Sequence, residues 1–565
     1  MTLFSTIQIA NNALIAGQLG LQVTGNNIAN ANTPGYIRQR LVLTPAPTQK
    51  YGNLLLGLGV QVEGVVQVID KFLDERMRNA TSDLVNGETQ ANTFNQLESL
   101  IGELGDNDLS TSLTSFFGAL HDVLNQPESG SVRNVAVQTG RALTEDIRRL
   151  DERTRTLHQD VNRQVIGTAD EINDLLSQIA DLNLKIVSAE GGSVSPSDAV
   201  GLRDQRAIAM GKLAEITDIR TIEQPTGDVT VFSGGEFLVN LGIHRSVEVV
   251  NESENGLPVA EIQIKDIGTP LTAGGGKLAG LIASRDEILG GFLNGLDEFT
   301  RALTFEFNKL YSGGQGLTGF STLTSEFGVD NPQVALDQAG LSFTPVNGQF
   351  QVQVTNSQTG ITNTTDIRID LNGLGADTTL TDIAAQLDAI DGIAASVTDD
   401  GELKIDADAP EISFAFANDT SGTLAALGLN TFFSGDGSKT IGINQVIRSD
   451  PKKLAMSSGG VAADTQNGLL LANLLTAPLD SHNQESLAAL YDRLTNNVAQ
   501  AAQTSRGATD GFRVFQQALE AQHQAISGVN LDEEAVRMIA IQRAFQASAR
   551  VISTVDEMLE TLINL

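Results

Sequence analysis

Residues 1–37, MTLFSTIQIANNALIAGQLGLQVTGNNIANANTPGYI, carry no charged side chain. From Leu3 onward Ile7, Ala10, Leu14, Gly17, Leu21 and Ile28 follow a heptad seam alternating large and small residues. That spacing predicts a helix of about 29 residues, roughly 43 Å long. Pro34 pushes its predecessor out of helical dihedrals and Gly35 supplies a turn, so the helix stops among Asn30, Asn32 and Thr33. A lone helix without ion pairs gains little from propensity, and its stability must come from burying its stripe.

The far end of the chain offers the matching surface. Met538, Ile541, Phe545, Ile552, Val555, Leu559 and Leu562 recur at three-and-four spacing almost to the last residue. Asn530 is placed to cap this second helix, with Glu533 reaching back in a capping box and Asp532 complementing the helix dipole. Both ends therefore read as helices that need partners. They are expected to be largely disordered in the isolated chain and to fold on assembly, where burial offsets the ordering entropy. Asn26, Asn27 and Asn30 have two readings, as plain caps and turn formers or as polar seam residues that fix register.

Between the ends, Tyr36 to Val68 shows short alternating runs and glycine turns, an extended or hairpin connector. Ile147, Leu150, Leu157, Val161, Ile172, Leu175, Ile179, Leu182 and Ile186 predict one long helix from Ser131 to about Ala189. A rod like that hides its stripe by packing on other long helices, for which Asp198–Ile216, Leu278–Tyr311 and Glu485–Ser527 are candidates. Two stretches rich in Gly, Thr, Asp and β-branched residues interrupt the helices. In the first, DVTVF and EFLVN flank a short glycine turn and read as a hairpin. In the second, Phe350, Val352 and Val354 alternate with glutamines, Asp399, Asp400 and Gly401 form a turn, and Ile383, Leu387 and Ile390 predict a short helix.

The expected fold is multidomain α+β, a discontinuous coiled-coil-like core of long helices formed by both termini, with two inserted β-rich domains. Its parts are a terminal helical assembly domain (1–36 plus 528–565), a long-helix core (37–217 plus 277–320 plus 448–527), a β-rich insert (218–276) and an outer α+β insert (321–447).

Bulk properties narrow the function. The 565 residues are enough for about three or four units. Net charge is −33, which argues against nucleic acid or an anionic membrane as partner, because both call for clustered Lys and Arg. Absence of cysteine excludes disulfides, thiolate metal sites and cysteine nucleophiles. The first basic residue is Arg38, so a cleavable leader with a positive head is not expected. Nor does any stretch reach the roughly 18 apolar residues of a membrane span.

Candidate chemical sites fail on inspection. His121, His158, His244, His482 and His523 contain no i, i+4 pair and read as solvated surface residues rather than zinc ligands. Gly314, Gly316 and Gly319 match GxGxxG but follow a helix, where a dinucleotide fold needs a strand. Gly276 and Lys277 mimic the tail of a phosphate loop, yet Leu271 stands where its first glycine belongs. Asp399, Asp400, Asp406 and Asp408 lack the closing glutamate of a calcium loop. No catalytic, cofactor or metal site is expected.

One motif is specific. GNNIANANTPGY, Gly25–Tyr36, resembles the N-terminal signature of the bacterial flagellar rod, hook and hook-associated proteins, and Ser527–Leu565 resembles the C-terminal helix of the same axial family. The middle segment GGGKLAGLIASRDEILGGFLNGLDEFTRALTFEFNKLY and the insert after it are similar to the hook-associated members at the hook-filament junction. Within the insert, TLTDIAAQLDAIDGIAASVTDDGELKI resembles a small module that recurs in hook and filament proteins.

The resemblance implies a secreted structural subunit of the flagellum, not an enzyme, exported unfolded through the type III apparatus. It implies self-association into a ring, with hook protein below, a second junction protein above and an export chaperone. It also implies a subunit interface at Ile7, Leu14, Leu21, Asn26, Asn27, Ile28, Asn30, Pro34, Gly35, Tyr36, Met538, Ile541, Phe545, Ile552, Val555, Leu559 and Leu562. Rival readings are a hook or distal rod protein, a secreted adhesin, and a hydrolase with its acids in the insert, although the insert is poor in the aromatics that line sugar sites.

Overall fold

The computed structural model describes residues 3–51, 54–102, 108–191, 197–254 and 256–564. Helix α1 (Leu3–Ala29) leads into strands β1 (Gln39–Pro45), β2 (Gln49–Tyr51), β3 (Leu54–Leu56) and β4 (Val60–Gln67). Helices α2 (Lys71–Gly102), α3 (Leu109–Asn125), α4 (Gly130–Ala189) and α5 (Val200–Ile216) follow. Next come β5 (Arg220–Glu223), β6 (Val229–Ser233), β7 (Glu236–Asn240), β8 (Ile243–His244), β9 (Val247–Glu254), β10 (Leu257–Ile264) and β11 (Thr269–Pro270). Helices α6 (Gly276–Ala283) and α7 (Gly290–Ser312) return the chain to helical form. The outer segment contains β12 (Thr322–Thr324), β13 (Gly348–Asn356), β14 (Ile361–Ile369), α8 (Leu380–Asp388), β15 (Ile393–Val397), β16 (Leu403–Ala407) and β17 (Ile412–Ala417). After α9 (Thr423–Leu427), β18 (Phe433–Ser434), β19 (Gly442–Ile443), α10 (Gln445–Ser449) and α11 (Gln466–Asn473), the chain ends in α12 (Leu487–Ser527) and α13 (Leu531–Ile563). The fold is multidomain α+β. No helix among the described residues is long and apolar enough to cross a membrane.

Two compact units emerge, one of residues 1–93, 159–285 and 503–565 and the other of residues 94–158 and 286–502. The first holds both chain ends. In it β1 and β4 form an antiparallel ribbon with a bulge at Val42/Leu43, and β5 to β8 form a four-stranded sheet that includes the expected β6–β7 hairpin. The α4 stripe supports this sheet: Ile172, Ile179, Leu182 and Ile186 are buried, and Asn183 Nδ2 donates to the carbonyls of Val229 and Leu241 while its Oδ1 accepts from the Val229 N–H. An asparagine on an apolar helix face is stable there because the strand backbone satisfies its amide.

Gly276 shows what the supposed phosphate-loop glycine is for. It begins α6 at φ 75°, and a Cβ there would lie 2.5 Å from the Ile216 carbonyl carbon at the end of α5. Only glycine permits that backbone approach. Gly276→Ala is expected to cost about 2 kcal/mol or more in chemical denaturation; an unchanged midpoint would show that the close approach carries no strain.

The second unit has an aromatic core, with Phe116, Phe307, Phe432 and Phe433 in mutual ring contact at 4.9–5.6 Å. Gly140 of α4 admits it, since a Cβ there would fall 2.8 Å from the Phe432 ring. The outer segment has a separate apolar core between the sheets β14–β13–β17 and β12–β16–β15, with Ile383 and Leu387 of α8 packed into it. Thr379 and Asp382 close α8 with a reciprocal capping box.

Three expectations need correction. The helix read from Leu278 to Tyr311 is broken by a π-helical turn at Ser284–Leu289. His158 is buried on α4, not solvated, since its neighbours in the helical repeat lie on the inner face. The capping box expected at Asn530 is half present: Asn530 Oδ1 accepts from the Asp532 and Glu533 N–H groups, but the Glu533 carboxylate lies 3.3 Å from Arg38 instead of turning back to the cap.

Candidate functional site at the paired chain ends

Helices α1 and α13 pack against each other. The place of a Cβ on Gly17 is 3.2 Å from Phe545 Cδ2, and that on Gly20 is 3.2 Å from Ile541 Cδ1. Asn27 Nδ2 donates to Glu534 Oε2 at 3.1 Å. Advancing along α1 from Gly17 to Gly20 to Asn27 moves back along α13 from Phe545 to Ile541 to Glu534, so the pair is antiparallel. Small residues make the seam: Ala10, Ala16, Gly17, Gly20, Thr24 and Asn27 are buried on α1. Of the seam expected from sequence, Ala10 and Gly17 are buried, whereas the larger Ile7, Leu14, Leu21 and Ile28 are half-buried.

On α13 the expected stripe does face inward. Val555 is buried, and Met538, Ile541, Phe545, Ile552 and Leu559 are half-buried. Leu562 departs from the reading, being 65% exposed. Val536, Ile539, Val551 and Met558 are exposed on α13, and Phe4 and Ile15 are exposed on α1.

Asn27 lies at the centre of a closed hydrogen-bond set. Besides its bond to Glu534, its Nδ2 donates to the Gln39 carbonyl at 3.0 Å. Its Oδ1 accepts from the Gln39 N–H at 3.0 Å and from the Tyr36 hydroxyl at 2.8 Å. Both donors and both acceptor positions of the amide are used. Glu534, also fully buried, accepts from Arg38 Nε through Oε1 at 2.8 Å, and the Arg38 N–H donates to the Ser527 carbonyl. The loop after α1 is therefore stitched to the start of α13 by charge-assisted bonds.

The other asparagines do something different. Asn30 Nδ2 donates to the Asn26 carbonyl and side chain, and Thr33 donates to Asn30 Oδ1. This is a local turn, and Asn26, Pro34 and Gly35 are exposed. Gly35 sits at φ 75° against Ile208, whose Cγ1 is 2.5 Å from where a Cβ would be. Arg38, Gln39 and Glu534 were absent from the residue set read from sequence; the signal for Glu534 was hidden in a DEE run that reads simply as dipole complement.

Tyr36 is pushed up to about 12, first by burial and then by the nearby Asp204 and Glu534 charges, so it stays a neutral donor to Asn27. Asp204 on α5 accepts from Gln67 Nε2 at 2.6 Å, and burial raises its carboxyl to about 6. Unfolded, it titrates near 3.9. The folded chain therefore holds this proton more tightly, and the stability gained from it is full below about pH 4 and lost as pH rises through 6. Wild type is expected to lose on the order of 2 kcal/mol between pH 4 and 7 relative to Asp204→Asn. A stability difference that stays flat across that window would contradict the assignment.

No group of three or more His, Asp or Glu among the described residues is placed to hold a metal ion.

Comparisons with known proteins agree with this architecture. Residues 94–327 match the family model described as flagellar hook-associated protein FlgK helical domain. Residues 7–36 match that of the flagella basal body rod protein, and residues 520–565 that of the flagellar basal body rod FlgEFG protein C-terminal region. Flagellar hook-associated protein 1 of Bacillus subtilis is 26% identical over 99% of this chain and 98% of its own. Its namesake in Escherichia coli is 25% identical over 99% and 100%. The structure of the flagellar hook junction protein FlgK from Burkholderia pseudomallei superposes with a TM-score of 0.50 at 16% identity, covering 80% of this chain and 100% of that one. The chain belongs to the flagellar hook-associated protein 1 family, structural components of the bacterial flagellum.

Proposed function

We propose that this chain is a structural subunit of the junction between hook and filament, exported by the flagellar type III apparatus and built into a ring through α1 and α13. It associates with other axial components of the flagellum: hook protein below, a second junction protein above and, before export, a chaperone. No catalytic role is proposed. The observation that supports the reading best is the apolar surface that the paired helices leave uncovered. Phe4 and Ile15 of α1 and Val536, Ile539, Val551 and Met558 of α13 stay exposed after the two helices have packed, and apolar side chains left in water in that number call for a further neighbour. The interface then comprises the residues read from sequence, supplemented by these.

The partition that goes with it is 1–36 with 528–565 as assembly domain, 37–217 with 277–320 and 448–527 as core, and 218–276 and 321–447 as inserts that serve as spacers or lateral contacts. The test is a strain lacking the gene, expected to carry hooks without filaments and to release monomeric flagellin into the medium. The full gene should restore filaments, and a copy lacking residues 531–563 should not. Filaments restored by that shortened copy would overturn the reading.

A further inference from the structure

A cavity of about 770 Å3 opens where α2 faces the β5–β6 pair, within the first compact unit. Glu75, Asn79, Ser82 and Asp83 reach it from α2, and at 100° per residue they fall within an arc of about 100° on one side of the helix. Arg220 stands opposite Phe232 in the β5–β6 register and Ile222 is two residues further along β5, so the three share one sheet face. All three line the cavity, as does Asp218 just before β5.

The cavity is electrostatically incomplete. Glu75, Asp83 and Asp218 set three carboxylates against the single guanidinium of Arg220, and none of the four takes part in an ion pair among the described residues. Asp83 makes no hydrogen bond among them either, and Asp218 uses only Oδ1, which accepts from the Gly274 N–H at 2.7 Å. Burial first, and the Asp218 charge second, hold the Asp83 carboxyl above the usual carboxylate range. Ser82 adds an independent sign. It is 2% exposed and its Oγ has no hydrogen-bond partner, although a buried hydroxyl is normally satisfied. Gly275 keeps the space before that oxygen open, since a Cβ there would lie 2.6 Å from it. What these oxygens lack is a donor.

We propose that this cavity binds an organic cation, a guanidinium or primary ammonium group on a short apolar stem, with the charge on Asp83 and Asp218 and the stem against Phe232 and Ile222. The volume lies in the range of small-molecule sites, about 300–1,000 Å3, and is many times that of a bare ion. Among the described residues the carboxylates do not converge as metal ligands. A guanidinium supplies donors to two carboxylates at once and stacks on an aromatic face, here that of Phe232. The same chemistry has two sources, a free amine and the Arg or Lys side chain of a neighbouring subunit. No lining residue belongs to α1 or α13, so the site is independent of how the chain ends assemble.

Titration calorimetry of the purified full chain with agmatine, a guanidinium and an ammonium joined by a short alkyl stem, tests the site. Saturable binding of a single agmatine per chain is expected, and magnesium at matched ionic strength should not displace it. Asp83→Asn should weaken binding roughly tenfold. Asp83 makes no bond among the described residues, so this variant is expected to unfold at the wild-type midpoint. Ser82→Ala should weaken binding as well, whereas Asp170→Asn, at an exposed acid of α4 outside the cavity, should not. Cells making the Asp83→Asn chain then separate the sources: fewer filament-bearing hooks identify a neighbouring subunit's side chain, and unchanged filaments identify a free amine. No saturable binding by the wild-type chain, or binding that Asp83→Asn leaves unchanged, would overturn the site and leave the junction reading intact.

Discussion

Asn27→Ala is expected to detach the loop after α1 from the start of α13, at a cost of about 4 kcal/mol, and to strip filaments from otherwise complete hooks. The size follows from what the substitution leaves behind. Tyr36 Oη, the Gln39 N–H and carbonyl, and Glu534 Oε2 each lose a partner in a place where Asn27 and Glu534 are fully buried, and a buried unsatisfied polar group costs about 1–3 kcal/mol. Relaxation and entering water recover part of the total. The proper controls are Asn26→Ala and Asn30→Ala, whose bonds stay within one exposed turn and whose loss should cost no more than about 1 kcal/mol. Limited proteolysis of the chain ends, read beside filament counts, separates the three. Equal behaviour of Asn27→Ala and Asn26→Ala would show that the buried bonds do not hold the ends together.

The second large effect is expected from the seam. Gly17→Leu combined with Gly20→Leu forces bulk into positions where Phe545 and Ile541 already stand 3.2 Å from an added Cβ. Phe545 and Ile541 have open space on one side, so alanine at either glycine should be absorbed by a shift of a few tenths of an ångström. Leucine cannot be. Overpacking costs about 1–3 kcal/mol per site, so the double variant should lose about 4 kcal/mol of pairing and release both helices to proteolysis. A compensating Phe545→Ala should recover part of that loss. If the double leucine variant assembles and resists protease like wild type, the helices do not meet along this line.

Much of this was legible in the sequence because helical periodicity is local. The α13 stripe up to Leu559, most of the α4 stripe and the β6–β7 hairpin needed only residues a few positions apart, and the structure turns them inward or pairs them; Leu562 is the exception. What periodicity could not supply was which neighbour each face would choose. Large residues on α1 drew attention to Ile7, Leu14, Leu21 and Ile28, but backbone approach is governed by the small residues between them, and the close contacts run through Gly17 and Gly20. Among three asparagines only Asn27 is a tie, because its partner Glu534 comes from the opposite end of the chain; no local pattern separates it from Asn26 and Asn30. His158 misled for a similar reason, since a titratable residue reads as solvated until its helix face is known. The π turn before α7 has no local sequence cue that we can identify.

The central claim is that α1 and α13, though paired within one chain, are completed only by copies of it. Burial within the chain is thin: on α13 only Glu534 and Val555 are buried. Amide exchange across residues 3–29 and 531–563, measured in dilute chain and again in assembled flagella, tests this most directly. The account predicts weak protection of both helices in the dilute chain, well below that of α4, and strong protection after assembly. Equal and strong protection in both states would contradict it.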